Sequence, residues 1–292
     1  MPKLYLKEYA RALAGREVFI ACREGILRDH FADILSDIKF LTRQGVVTTL
    51  FHNMANRFAN QQHFRTLAER LPETRIVRVG SEKDFYTEVL EQDPVYKLIF
   101  LERKYLTDPK GRRINAVDTR RVRAVWQHYG DLIANTSFRS TLEKICQRID
   151  DGHLKRVHIL PVRKNTIKHE LFTVEGTGTL IANDFQETFL PIVSEEDEQL
   201  LAGILHLYKA KGYLKPRDRA YIAAHRDNFY MTQIDGIAVG CVELIPIDDL
   251  TAELGALALS TRFRGQRVGV FTVSAFIAEA CCRGYEKIIS LT

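Results

Sequence analysis

The chain has 292 residues, enough for two domains of ordinary size. Hydrophobic residues make up 46% and charged residues 27%, the balance of a globular protein with real cores. The net formal charge of +5 is too small and too scattered for a nucleic-acid protein, though it suits an anionic small molecule.

In chain order, residues 4–14 read as a short amphipathic helix ending near Gly15, and residues 18–21 as a buried strand. Ile34, Leu35, Ile38 and Leu41 recur at helical spacing over 31–44 and stop at Gly45, followed by a β-branched strand at 46–51. A helix over 62–71 and strands at 75–79 and 97–101 come next. Asp108-Pro109-Lys110-Gly111 has turn composition. Residues 118–126 and 138–150 read as helices and 156–160 as a strand, a βαβ rhythm that predicts α/β architecture. Pro191 and the acidic run 194–198 mark a compositional break, which places a domain boundary near residue 184. Beyond it come a helix over 196–211, strands at 229–233 and 238–245 around an Asp235-Gly236 hairpin turn, a strand at 252–259 and a helix over 270–282.

Other features exclude more than they assign. Five cysteines, two of them adjacent at Cys281 and Cys282, make no secreted disulfide framework. No run reaches the roughly 18 apolar residues that span a bilayer, and no apolar leader opens the chain, so a cytoplasmic protein is expected. Nine histidines show no metal-ligand spacing, so no metal is expected. The basic stretch of Lys110, Arg112, Arg113, Arg120, Arg121 and Arg123 lacks interleaved aromatics and reads as a solvated face.

The segment ELGALALSTRFRGQRVG, residues 253–269, feeds a strand through a loop of Arg and Gly into an apolar helix. Helix-start N–H groups lack intrahelical acceptors and favour negative charge, so the pattern reads as a pyrophosphate site or as an ordinary basic strand–helix turn. It resembles the acetyl-CoA site of the GNAT-type N-acetyltransferases, whose loop reads Arg/Gln-x-x-Gly-x-Gly/Ala. Arg264-Gly265-Gln266-Arg267-Val268-Gly269 matches its first and last positions, and Arg267 in place of the middle Gly resembles the N-acetylglutamate synthases. The resemblance runs through Gly212-Tyr213-Leu214, Arg217-Asp218-Arg219 and the Asp235-Gly236 hairpin.

It implies that acetyl-CoA is held by the backbone of Leu257, Ala258 and Leu259 and by Arg264, Gly265, Gln266, Arg267, Val268, Gly269 and Val270. It likewise implies Glu253 as general base and Arg217, or Arg219, as clamp for a substrate carboxylate. Thr292 falls where the family carries a second catalytic hydroxyl. The family's final helix and strands have no counterpart, so this domain is expected to be incomplete at its C-terminal end.

Residues 97–118 and 138–181 resemble the amino-acid kinase fold of acetylglutamate kinase, most specifically at His169-Glu170-Leu171-Phe172-Thr173-Val174-Glu175-Gly176-Thr177-Gly178-Thr179-Leu180. The kinase's Lys-x-Gly-Gly turn and second Gly-rich turn are here Cys22-Arg23-Glu24-Gly25 and His52-Asn53-Met54-Ala55, so no phosphoryl transfer is expected. In the synthases such a domain assembles oligomers and often binds arginine, which implies a homo-oligomer and an effector site lined by Glu170, Gly176 and Gly178.

The expectation is therefore a shortened amino-acid-kinase-like three-layer α/β sandwich over 1–184 and a GNAT-type mixed α/β domain over 185–292. The implied reaction is acetyl transfer from acetyl-CoA to L-glutamate, the first step of arginine biosynthesis. Acetylation of another small amine or amino acid, and a non-catalytic scaffold that binds acetyl-CoA or arginine, remain alternatives. Neither nucleic acid nor membrane is an expected partner.

Overall fold

Five consecutive residues of Glu17–Cys22 (β1) are buried, which an extended segment achieves only in the middle of a sheet covered on both faces. The computed structural model describes residues 6–80, 85–92, 94–124, 138–209, 212, 214–263 and 265–291, in two units, Leu4–Asp184 and Phe185–Thr292. The predicted helices over 4–14, 118–126 and 196–211 each run partly outside the described residues.

In the first unit, β1 is flanked by Val47–His52 (β2) and Val95–Glu102 (β4), both parallel to it. With Arg75–Arg78 (β3), Ala116–Asp118 (β5), Leu154–Pro161 (β6) and Thr179–Ala182 (β7), the order is β3-β2-β1-β4-β6-β7-β5, and only β6 and β7 pair antiparallel. Strand side chains alternate between faces. One set, including Phe19, Phe51, Leu98, Phe100, Val157 and Ile159, packs with Phe85–Leu90 (α5) and Arg139–Asp150 (α7), whose Leu142, Ile145 and Ile149 share one helical stripe. Phe19 and Phe51 meet edge to face at 4.9 Å.

The other face carries Leu6–Leu13 (α1), Phe31–Arg43 (α3) and Thr166–Phe172 (α8), and α8 touches both α1 and α3. Buried Asp37 of α3 accepts the Ile167 N–H at 3.0 Å and so caps α8 from a neighbouring helix. Helices Glu24–Asp29 (α2), Gln61–Arg70 (α4) and Thr119–Ala124 (α6) complete this unit. The sequence reading did not resolve α2, α5, β5, α8 or β7. All have eight residues or fewer, too few for a period to show.

In the second unit, Glu187–Pro191 (β8), Phe229–Ile234 (β9), Ile237–Pro246 (β10), Thr251–Leu259 (β11) and Lys287–Ile289 (β12) form a sheet ordered β12-β11-β10-β9-β8. All neighbours are antiparallel except β11 and β12. Asp235 and Gly236 sit at φ 54° and 76°, the double left-handed turn that two-residue hairpins need and that Asp-Gly supplies. Val268–Cys282 (α11) packs on the face of Tyr230, Val242, Leu244 and Ala252 through Phe276 and Ala280. The opposite face meets Glu195–Lys209 (α9), which in turn packs on Arg219–Ala224 (α10). Among the described residues no helix is long and apolar enough to cross a membrane.

Candidate active site in the second unit

The site begins with a defect in pairing. Cys241 lies opposite Ala258 and Glu243 opposite Gly255, so Val242 faces two residues, Ala256 and Leu257. The extra residue is accommodated by Ala256 at φ 48°, a conformation that costs a residue with a Cβ about 1–2 kcal/mol. On its other edge β11 pairs with β12 only through Thr251, Ala252 and Glu253. From Leu254 to Leu259 the backbone on that edge has no strand partner among the described residues.

Past Leu259 the chain turns through Thr261–Phe263 and Gly265 (φ 79°) to Arg267 (φ 64°), the N-cap of α11. Phe271 is the first N–H to find a carbonyl of this helix, Arg267 O at 2.9 Å. The N–H groups of Val268, Gly269 and Val270 precede it, at the positive end of a 15-residue helix. They border a cleft of about 780 Å³ that is also lined by Leu259, Ser260 and Phe263, with Tyr208 of α9 opposite. A Cβ on Gly269 would only touch Leu259, at 3.4 Å. Arg264 and Thr292 lie outside the described residues. Leu257 packs toward α11, and Ala258 is buried beside Cys241, so any role of theirs in binding belongs to their backbone.

On the opposite face of the sheet, Glu253 is half-buried and has no hydrogen-bond or ion-pair partner among the described residues. Two residues along the same face, Gly255 leaves room for the Arg217 guanidinium, whose Nη2 lies 3.4 Å from where a Cβ would stand. Arg217 donates its Nε–H to buried Glu243 of β10 at 2.5 Å, and the Tyr221 hydroxyl donates to the other oxygen at 2.7 Å. That bond to Glu243 is the main reason the Tyr221 hydroxyl is harder to ionise than usual. Arg219 turns the other way and pairs with Glu195 at 2.9 Å and Glu198 at 3.8 Å on α9. Glu253 and Arg217 thus share a face that Arg219 does not reach. Tyr208, Tyr221 and Glu243 were missed in the sequence, where the one available signal was a Glu inside the apolar run 238–245.

A bulged strand thus runs into an N–H-rich helix start. Residues 182–292 match the acetyltransferase (GNAT) family. The chain is also similar to an amino-acid acetyltransferase of Shewanella oneidensis, 31% identical over 127 residues, and to one of Haemophilus ducreyi, 26% identical over 208. These matches cover 42% and 68% of this chain but only 28% and 46% of the relatives' lengths. Two structures of N-acetylglutamate synthase from Neisseria gonorrhoeae share the fold at 16% identity. The one complexed with coenzyme A and L-arginine has a TM-score of 0.56 over 97% of this chain and 88% of its own. The one with coenzyme A and N-acetyl-glutamate has a TM-score of 0.50 over 98% and 88%. The architecture is accordingly an amino-acid-kinase-like unit followed by a GNAT unit.

In the amino-acid-kinase-like unit the expected effector residues have internal duties. Glu170 is buried, accepts the N–H groups of Thr177 and Gly178 at 2.6 and 2.9 Å, and pairs with His158 Nδ1 at 2.6 Å. A Cβ on Gly178 would stand 2.3 Å from the Ile159 carbonyl oxygen, so this glycine serves the approach of two backbones. Gly176, at φ 59°, makes the turn between them. The segment that follows β1 places a carboxylate among donors of its own chain. Glu24 accepts the Ala55 N–H and Asn60 Nδ2–H, both at 3.1 Å, and pairs with Arg57, while its own N–H donates to Asn53 Oδ1 at 2.6 Å. Burial opposes its ionisation, but the donors from Asn60, Ala55 and Arg57 outweigh it and hold the carboxyl at about 2. No group of three His, Cys, Asp or Glu is placed to hold a metal among the described residues.

Proposed function

We propose that this chain transfers the acetyl group of acetyl-CoA to the α-amine of an amino acid, with L-glutamate as acceptor. The observation that carries the reading is the partner-free Glu253 on the same sheet face as the Arg217 guanidinium, on a strand that leads into the α11 cleft. Its similarity to amino-acid acetyltransferases and to a synthase solved with coenzyme A and N-acetyl-glutamate supports it.

An amino-acid ammonium titrates two to three units above neutrality, so freeing its lone pair at pH 7 costs roughly 3–4 kcal/mol. In this reading Glu253 takes that proton, directly or through one water. The amine nitrogen bonds to the thioester carbon, and the carbon–sulfur bond breaks with its electron pair on sulfur. The open backbone of β11 holds the pantetheine arm and donates N–H to the carbonyl oxygen, and the Val268, Gly269 and Val270 N–H groups hold the pyrophosphate. Thr292 is the proposed proton donor to the leaving sulfur. Arginine as effector draws support from the neighbour solved with L-arginine. In this chain it would bind through groups other than the inward-turned Glu170.

The test is acetyl-CoA-dependent thiol release by the purified chain with L-glutamate against a panel of amino acids and polyamines. Release is expected with glutamate, and Glu253→Gln should lower kcat by about 10²–10⁴ while acetyl-CoA still binds. Bound acetyl-CoA with no release from any acceptor would sink the enzyme reading, and release only with another amine would sink glutamate.

A further inference from the structure

Glu243 needs an explanation that stability does not provide. It lies 1% exposed at the centre of the second unit's sheet, opposite Phe229 on one side and Gly255 on the other. A carboxylate there gives up its hydration, and an apolar residue of similar volume is usually at least as stabilising as a buried ion pair. Its two oxygens are each assigned, one to Arg217 Nε at 2.5 Å and one to the Tyr221 hydroxyl at 2.7 Å. The arrangement fixes direction. A guanidinium is a planar fork, and pinning it at Nε sets the plane in which its two Nη nitrogens lie.

Besides Glu243 the Arg217 guanidinium meets Tyr221, whose ring centroid lies 5.9 Å from its central carbon, and its side chain is 11% exposed. Its Nη2 hangs over Gly255, the one residue whose missing side chain leaves that position open. Glu253 lies two residues along the strand on the same face, roughly 7 Å away at strand spacing. An acceptor with one end at Arg217 Nη2 and the other at Glu253 must carry a carboxylate and an amine within the length of a small amino acid.

We propose that Glu243, held by Tyr221, is a positioning residue that aims Arg217 and thereby sets the preference for acceptors bearing a carboxylate. This rests on the acetyl-transfer reading and adds to it the origin of acceptor choice. The pair Glu243–Arg217 is neutral overall, so its contribution is orientation of a bidentate contact rather than bulk positive charge.

The experiment compares kcat/KM for L-glutamate with that for its two monoamides in the wild-type chain, Glu243→Gln and Tyr221→Phe. The expected result is a rise of about tenfold in the glutamate KM of Glu243→Gln and a smaller rise in Tyr221→Phe. The wild-type preference for glutamate over the amides should collapse toward unity, with the acetyl-CoA KM within twofold of wild type. A merely structural role would lower all acceptors together and leave the ratio untouched, and that result overturns the proposal. Should Glu243→Gln fail to fold, the ratio in Tyr221→Phe and in Arg217→Lys decides, and an unchanged ratio in both overturns it. Absence of any acetyl transfer by the wild type overturns the underlying reaction, whereas normal transfer with an unchanged ratio overturns the role of Glu243 alone.

Discussion

Residues of one type, two positions apart, take opposite assignments here, and the cause is local. Asp218 accepts the Tyr221 N–H at 2.8 Å and starts α10, so the chain changes direction between Arg217 and Arg219. One arginine is left over the sheet and the other against the acids of α9. Composition and spacing gave both the same reading, because the turn that separates them depends on a capping bond that spacing does not reveal. Glu243 was illegible for a similar reason. Its partners lie 22 and 26 residues upstream and meet it only once the sheet has formed. Glu24 makes its own prediction. Its folded carboxyl sits at about 2 against an ordinary 4.5, so its contribution is complete above pH 4.5 and drains away as the pH falls toward 2. Glu24→Gln should therefore lose about 1–3 kcal/mol in urea unfolding at pH 7, and the gap to wild type should narrow by pH 3. An equal gap at both pH values would contradict this role.

At the scale of elements, the segments legible in the sequence were those whose physics is local. The Asp235-Gly236 hairpin needs two residues at positive φ, and Asp and Gly are among the few that accept them. The α7 stripe of Leu142, Ile145 and Ile149 announces itself by period. The bulge in β11 was not legible, since Ala256 is no turn former and only the register with β10 places it in the left-handed region. The Gly176-Thr177-Gly178 motif was legible as a motif but not in its duties. Gly178→Ala would drive a methyl into the Ile159 carbonyl and should cost about 3 kcal/mol. Gly152→Ala, at φ 79° with open space around it, should cost about 1–2 kcal/mol for its backbone alone. Thermal melts of the two variants check the order, and equal melting temperatures would show that the turn yields.

For the molecule as a whole, alternating strands and helices were enough to read α/β architecture, while the partners across each sheet had to come from the fold. Val18 meeting Lys97 in parallel pairing is a contact between residues 79 apart, and no window of sequence holds both. Hydrogen exchange on the full chain with and without acetyl-CoA should show slowed amides over residues 254–271, and little change over residues 6–124. Protection centred on the first unit instead would place the ligand elsewhere.

The Glu24 carboxylate carries a last consequence. One side chain gathers Ala55, Arg57 and Asn60, which lie 31, 33 and 36 residues further along, onto the segment that follows β1. The segments that leave two neighbouring parallel strands are therefore fastened at a single point, and protonation of that point in acid loosens both together.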